Sequence, residues 1–459
     1  MIAYSIIQKS QLESAHRLDA EYYQPEYLQV FERLSALPHT TLEDISDSIV
    51  SFGAYALTNF IEWRNEGIPF IVAENIKEGF ISLEGVRYVS DDTDGILKKS
   101  RVKEGQALLS MSGSVGNVAV AYNIPARLNS NQDIVKISLK TEFSPFILTA
   151  FLNSKYGRMQ VLRLPVGSVQ QHIFLWQTKS LLIPIFPSAI TNRIEKIYKE
   201  GLEQLKSSKS LYSKAENLLL EELGLKDFEP EDELSYVVNL SDVKFAHRAD
   251  AAYFQPKYRK IEEKLIKDFN AKKIKYLDFI KVTTGQYSEE YATQTDGEPY
   301  IRGTDLSKGT IEIDDLVYID PNKQNPLKKA GEGDVVVTRV GTIGISARLP
   351  KEVEGGTISD NLIRLRFQEE ILNSYYVSLF LNTIGSQLMI RASRGSVQAR
   401  LNQETLREII LPIPPKPTQK KTADLVIQSH QARKMAKNLL EKAKREVERF
   451  VEKNRIKEK

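Results

Sequence analysis

The chain has 459 residues, more than one ordinary hydrophobic core organises, so two to four domains of roughly 100–200 residues are expected. With 41% hydrophobic and 27% charged residues it reads as a globular protein, and this composition excludes a disordered chain. A net charge of only +3 excludes histone-like overall basicity, so any nucleic-acid contact must come from local clusters. The lack of cysteine excludes disulfides, thiolate zinc sites and a cysteine nucleophile together.

The first residues, MIAYSIIQKSQLESAHR, show no basic leader followed by a long apolar run, so no signal peptide is expected. No stretch approaches the roughly 18 apolar residues that span a bilayer. The cytoplasm is the expected compartment and no membrane contact is expected. His16, His39, His172, His247 and His430 are scattered, and no metal site is expected among them.

From Arg17 the chain reads RLDAEYYQP, and from Arg248 it reads RADAAYFQP. Over positions 15–27 and 246–258, 9 of 13 residues are identical, which makes an internal repeat the first architecture to test. The phrase itself reads as packing and capping: an Asp near a helix start, then aromatics turned toward a globule.

The echo continues in order. PFIVAENI (69–76) answers to PYIRGTDL (299–306), each an extended apolar run. KEGQALLSMSGSVG (103–116) answers to GEGDVVVTRVGTIG (331–344): a turn, a buried strand, then a Gly-x-x-Gly turn. NQDIVKISL (131–139) and SDNLIRLRF (359–367) alternate as strands do, and FLNS (151–154) and FLNT (380–383) fall in helical segments expected over 145–160 and 371–390. GSVQ stands at 167–170 and again at 395–398, and in both copies a Pro follows 14 positions after the Gln (Pro184, Pro412) and another three later (Pro187, Pro415). Such spacing marks a tandem duplication. By contrast, YALTNFIEWRNEG (55–67) has no visible echo in YSEEYATQTDGE (287–298).

After each proline pair comes a long segment without internal Pro. Ile190, Ile194, Ile197, Leu205, Leu211, Ala215 and Leu218 keep mostly to steps of 3 and 4, as do Leu425, Ala432, Ala436, Leu439, Ala443 and Phe450. Each predicts a helix of about 35 residues, roughly 50 Å long. An apolar seam needs a partner. The fold class expected is therefore α+β: two similar mixed α/β globular domains, each followed by a long helix, the two helices pairing as an antiparallel coiled coil with pseudo-two-fold symmetry.

No nucleotide P-loop, zinc-protease or nucleophile-elbow motif is present, and no Asn-Pro-Pro-aromatic run of an amino-methyltransferase. GSVG at Gly113–Gly116 lacks the following Lys of a phosphate loop and reads as a tight turn. Catalytic residues are not expected. The binding signals are local: Arg391, Arg394 and Arg400 surround the second GSVQ, and Arg163, Gln170, Gln171 and His172 flank the first. Arg and Gln can pair bidentately with guanine and adenine edges, whereas Ser hydroxyls and Gly amides suit phosphates. The DNA-contact candidates are thus Lys98, Lys99, Arg101, Arg163, Gly167, Ser168, Gln170 and Gln171 in the first copy. In the second they are Lys328, Lys329, Arg339, Arg391, Arg394, Gly395, Ser396, Gln398 and Arg400. Residues 418–459 hold 13 Lys+Arg against 6 Asp+Glu, a face for solvent, DNA or an acidic partner.

This ordered, duplicated set resembles the specificity subunits of Type I restriction–modification systems, over essentially the whole chain. The resemblance implies a first target recognition domain at 1–187, a central spacer helix at 188–225, a second recognition domain at 226–416 and a C-terminal spacer helix at 417–459. It implies a non-catalytic subunit that reads a bipartite site in double-stranded DNA and holds two adenine-methyltransferase subunits, which restriction and translocase subunits can join. No cofactor is then expected on this chain; S-adenosylmethionine, and ATP with magnesium, belong to the partner subunits. Recognition residues vary freely in that family and are not carried over. The alternative is a two-headed protein scaffold without DNA contact, and an adaptor in a methylation-only defence complex would share the same sequence features. A nuclease or methyltransferase in its own right lacks its motifs.

Overall fold

The computed structural model describes residues 4–10, 12, 17–51, 60–166, 172–228, 230, 232–314, 316–394 and 400–454. The chain forms two compact units, Met1–Lys206 with Arg433–Lys459, and Ser207–Ala432.

In the first unit the strands are β1 (His39–Thr41), β2 (Ser46–Ser51), β3 (Trp63–Arg64), β4 (Ile68–Ile71), β5 (Arg87–Val89), β6 (Ala107–Ser110), β7 (Val118–Val120), β8 (Asn129–Ser130), β9 (Ile134–Leu139) and β10 (Leu182–Pro184). They form one sheet in the order β2-β9-β6-β7, a second in the order β3-β5-β4-β8, and the ribbon β1-β10. The second unit has β11 (Lys272–Lys273), β12 (Lys281–Thr284), β13 (Tyr291–Ala292), β14 (Glu298–Ile301), β15 (Leu306–Ser307), β16 (Thr310–Ile311), β17 (Val317–Ile319), β18 (Val335–Thr338), β19 (Ser346–Arg348), β20 (Thr357–Ile358), β21 (Leu362–Arg366) and β22 (Ile410–Leu411). Its sheets run β12-β21-β18-β19 and β13-β17-β14-β20, with ribbons β11-β22 and β15-β16. The two four-stranded sheets and the ribbons β1-β10 and β11-β22 match strand for strand, down to the single parallel pair of each second sheet, β4 with β8 and β14 with β20, whereas β15-β16 answers to a single bridge between Ile76 and Ile81. The duplication read from short motifs is a duplication of topology.

β6 and β18 are central and wholly buried, which is why they read as continuous apolar runs. Their period of two divides each between two cores. Ala107 and Leu109 pack with Phe146 and Phe151, whereas Leu108 packs with Ile71, Ile76 and Ile134. Val335 and Val337 join Tyr376 and Phe380, and Val336 joins Ile301 and Ile358. Helices cover one face of the first sheet in each unit.

Those helices correct the expectation of single segments. Residues 145–160 form two helices, Pro145–Asn153 and Lys155–Leu162, and the second copy forms Ser374–Asn382 and Ile384–Ala392. Ser154 ends one helix and caps the next by accepting from the Gly157 amide. A Cβ at Gly157 would lie 2.1 Å from the Phe151 carbonyl oxygen, so the tight corner requires glycine.

The long helices span Ser188–Glu222 and Lys416–Lys453. In the first unit Ile194, Tyr198 and Leu202 share a core with Ala443, Val447 and Val451, Arg193 pairs with Glu446, and Gly201 faces Leu440. In the second unit Ala215, Leu219 and Leu223 share a core with Val426, Ser208 meets Ser429 at 3.2 Å, and Thr418 donates to Glu222 at 2.9 Å. Rising numbers on one helix meet falling numbers on the other in each unit, so the pairing is antiparallel. The seam keeps part of the expected one, with Ile194, Ala215, Ala432, Ala436 and Ala443 buried, but on the first helix Tyr198, Leu202, Leu219 and Leu223 complete it while Ile197, Leu205, Leu211 and Leu218 flank it. Contact with the globules sets this phase. Tyr198 donates its hydroxyl to the Gly79 carbonyl at 2.9 Å, and Tyr212 packs on Gly309. Both glycines have positive φ, 99° and 80°, and a Cβ on either would come within 2.7 Å of the tyrosine.

Among the described residues, no helix is long and apolar enough to cross a membrane.

Candidate nucleic-acid interface

In both units one backbone device holds the segment around GSVQ. Arg394 and Arg400 exchange amide-to-carbonyl hydrogen bonds at 3.0 and 2.7 Å. Leu401 N–H then donates to the Arg339 carbonyl at 2.9 Å, and Arg339 N–H to that of Asn361 at 3.1 Å. In the first unit Val166 and His172 exchange the same bonds at 3.0 and 3.2 Å. Ile173 N–H donates to Met111 at 3.2 Å and Met111 N–H to Asp133 at 2.8 Å. Each loop base is thus stapled to the end of a central strand and, through it, to the corner after β8 or β20. The adjoining Gly-x-x-Gly turns have positive φ at all four glycines, Gly113, Gly116, Gly341 and Gly344, so they are tight turns as read.

The duplicated opening phrase grips the chain that enters each loop. Arg17 holds Asp19 through two hydrogen bonds, 2.8 and 2.5 Å, and donates to the carbonyls of Leu164 at 2.8 Å and Pro165 at 3.2 Å. Arg248 holds Asp250 at 2.7 and 3.0 Å and donates to Ala392 and Ser393 at 3.2 Å each. Arg163 Nε returns a bond to the Tyr22 carbonyl and Arg391 Nε to that of Tyr253, both 2.7 Å. The guanidiniums of Arg17 and Arg163 stack within 4.5 and 3.8 Å of the Tyr22 ring, and those of Arg248 and Arg391 within 4.2 and 4.7 Å of Tyr253, a cation–π arrangement strengthened by partial desolvation. The Arg17 guanidinium holds the Asp19 carboxyl below its usual range, as Arg248 does for Asp250. Asp250 also caps its helix through the Tyr253 amide. The phrase is therefore a clamp, which the sequence reading missed, and the expected side-chain cap is made by Asp250 but not by Asp19. The signal was available: Arg163 and Arg391 stand at matching places before the two GSVQ copies.

The remaining candidates divide by what they touch. Gly167, Ser168, Gln170, Gln171, Gly395, Ser396 and Gln398 lie outside the described residues. Lys98 and Lys99 are exposed on a turn beside β8, held there by Asn129 donating to the Leu97 carbonyl and Ser130 to that of Ser100. Arg101 is paired with buried Asp94. Burial works to raise that carboxyl, but the bonds from Arg101 and Asn129 outweigh it and leave it low. Lys328 donates to the Thr284 carbonyl at 2.7 Å and Lys329 pairs with Glu298. Arg339 donates to the carbonyls of Leu401 and Asp360 at 3.3 and 3.1 Å. Arg163 and Arg391 belong to the clamps, and Arg391 also pairs with Glu262 at 3.1 Å. Arg394 and Arg400 are exposed at the second loop base. The structure thus gathers Arg339, Arg391, Arg394 and Arg400 beside the Arg394–Arg400 bridge and Arg163 near the Val166–His172 bridge, while the lysine pairs lie along β8 and β20.

A cavity of about 390 Å³ beside the second clamp is lined by Arg248, Arg391 and Arg394 but also by Glu262, Glu404 and Glu408, so its charges are largely balanced internally. Among the described residues no group of His, Asp or Glu is placed to hold a metal ion.

Residues 239–445 match the family described as Type I restriction modification DNA specificity domain. No curated protein matches the chain. Among solved structures, the chain is similar to a Type I restriction–modification S subunit from M. genitalium, at 14% identity over 90% of this chain and 95% of that one, with a TM-score of 0.40. It is also similar to an HsdS subunit from Thermoanaerobacter tengcongensis, at 13% identity over 91% and 96%, with a TM-score of 0.30. The family match covers the second copy, and the first copy repeats its motifs, sheet orders and loop clamp. Residues 239–445 are thus similar to a Type I restriction–modification DNA specificity domain, and the first copy is built on the same framework.

Proposed function

We propose that this subunit reads a bipartite site in double-stranded DNA, each unit's recognition domain addressing one half, and directs two adenine-methyltransferase subunits to it in the cytoplasm. The recognition domains correspond to residues 1–187 and 226–416, followed by the helical segments 188–225 and 417–459. S-adenosylmethionine, and ATP with magnesium where restriction subunits join, act on the partner chains. The observation that carries this reading is the pairing of one duplicated framework with two unlike surfaces. Both loops are stapled by the same hydrogen bonds, yet Val166, His172 and Met111 stand where the second copy has Arg394, Arg400 and Arg339. Equal scaffolds with unequal side chains suit two unlike half-sites.

The test is a map of methylated adenines in DNA from cells making this chain with its methyltransferase. Two short, unlike half-sites separated by a fixed unspecified gap are expected. In vitro, affinity for a DNA carrying that site should fall steeply with salt as phosphate contacts release counterions. A two-headed protein scaffold would give no split motif and no such salt dependence.

A further inference from the structure

The two segments without visible sequence echo, 55–67 and 287–298, lead into the same strand. β3 pairs with β5 through Trp63 opposite Val89 and Arg64 opposite Tyr88. β13 pairs with β17 through Tyr291 opposite Ile319 and Ala292 opposite Tyr318. On the far side of β5, Ile68 meets Val89; on the far side of β17, Glu298 meets Ile319. Trp63 and Tyr291 therefore occupy one register position of the duplicated fold, although nothing in the surrounding sequence matches.

Both are exposed aromatics on a strand that ends its sheet among the described residues, at 43% and 67% of their surface. Edge strands of soluble proteins are ordinarily blunted by charges or proline, whereas here a large ring stands at the same place twice with much of its surface in water. The surrounding side chains differ between the halves. Arg87 lies 4.7 Å over the Trp63 ring, whereas the residue at its position in the second unit is Val317, since Phe70 faces Arg87 and Tyr300 faces Val317. One edge thus presents an indole under an arginine, and the other a phenol with valine at that arginine's position.

The edge also lies at a useful distance from the loop base. Three strand spacings separate β3 from β8 and β13 from β20, about 14 Å in all, and the corner after β8 or β20 is the one that carries the stapled loop. That span matches about four base pairs at roughly 3.4 Å each, and the width of a major groove, about 12 Å.

We propose that Trp63 and Tyr291 are equivalent specificity-determining residues, each contacting base edges at the outer part of its own half-site, with Arg87 adding a hydrogen-bonding fork in the first half only. Flat apolar rings suit a thymine methyl, and arginine suits guanine O6 and N7. The inference rests on the DNA-reading function proposed above and names the residues that carry it.

The test maps adenine methylation by the full chain with its methyltransferase, for wild type, Trp63→Ala, Tyr291→Ala and the ring-keeping exchanges Trp63→Tyr and Tyr291→Trp. Each alanine variant should relax discrimination on the order of 10-fold at one position of one half-site, as loss of a base contact does, and leave the other half unchanged. Trp63 packs edge-on against Phe70 at 5.3 Å; if its alanine variant fails to fold, Trp63→Tyr retains a ring and should still shift preference in that half. Unchanged motifs in the alanine and exchange variants, or equal relaxation of both halves by one substitution, would overturn the inference. If wild type itself yields no split motif, the DNA-reading function fails with it, so the two failures are told apart.

Discussion

The loop bases and the edge strands are built on the same duplicated framework but use it in opposite ways. At the loop bases the bonds that matter run between backbone atoms or from Arg17 and Arg248 to carbonyl oxygens. Such bonds are indifferent to the side chain carried by the accepting residue. Val166 and Arg394, or Met111 and Arg339, therefore replace one another without altering the geometry. At β3 and β13 the backbone register is likewise kept, but the side chains differ: Trp63 leans on Phe70 and Arg87 with 43% of its surface exposed, and Tyr291 is exposed over 67%. Position is fixed by groups that do not vary, and chemistry is left to groups that do not fold the protein.

Substitutions can break this comparison, and the largest effects should fall on the framework. Gly79→Ala puts a Cβ 2.7 Å from the Tyr198 hydroxyl at φ 99°, and Gly309→Ala does the same against Tyr212 at φ 80°. Strain and overpacking together should cost about 4 kcal/mol, each in its own unit, measured by urea denaturation. A loss below about 1 kcal/mol would show that the helix can move off the glycine.

Next comes a pH effect confined to the first unit. Lys136 is 1% exposed, donates to Ser130 at 2.9 Å, and burial lowers its ammonium from 10.5 to about 8. Between those values the unfolded chain binds the extra proton, so stability rises with pH across this window, by up to about 3 kcal/mol. Lys136→Met should remove that slope. Arg364 occupies the equivalent strand position; burial lowers it too, but a guanidinium stays charged and Arg364 donates to the Leu327 carbonyl at 3.1 Å. Arg364→Met should leave the slope intact, and equal slopes in wild type and Lys136→Met would refute the assignment.

The clamps come third. Arg17 and Arg248 are mostly buried, with 13% and 15% of their side chains exposed, and each serves two or more carbonyls. Arg17→Ala and Arg248→Ala should each cost about 2 kcal/mol by leaving those partners unsatisfied. They should also weaken DNA binding without reducing its salt slope, because neither guanidinium is free to meet a phosphate. A reduced slope would recast them as phosphate contacts. Smallest, Tyr291→Ala should change stability by no more than about 0.5 kcal/mol, as surface substitutions do, so any loss of sequence discrimination would be functional in origin.

The duplication was legible because its markers are residues that backbone geometry demands: Gly341 and Gly344 repeat Gly113 and Gly116 at positive φ, and the proline pairs repeat at fixed spacing. The central strands were legible from Leu108–Leu109 and Val335–Val337, where burial on both faces leaves a continuous apolar run. Helix seams were legible in period and partly in phase, since Ile194, Ala215, Ala432, Ala436 and Ala443 are buried while Ile197, Leu205, Leu211 and Leu218 only flank the seam. An amphipathic stripe is broad, and the choice of Tyr198 over Ile197 depends on Gly79, more than a hundred positions away. The clamp was half legible, since the Arg-x-Asp spacing repeats but its carbonyl targets lie 147 and 144 residues off. The equivalence of Trp63 and Tyr291 was not legible at all, because a two-residue edge strand is specified by its neighbour's register rather than by its own composition.

By itself, the sequence determined that this protein is written twice, that each copy holds buried strands, a Gly-x-x-Gly turn and a following long helix, and that no cysteine or nucleotide-loop chemistry is available to it. Tertiary structure alone decided which cations are spent inside the fold, as Arg17, Arg101, Arg163 and Lys329 are, and which side chains stand exposed. Charge and polarity are properties of a residue, but availability is a property of what lies across from it, and that partner is brought in from far along the chain.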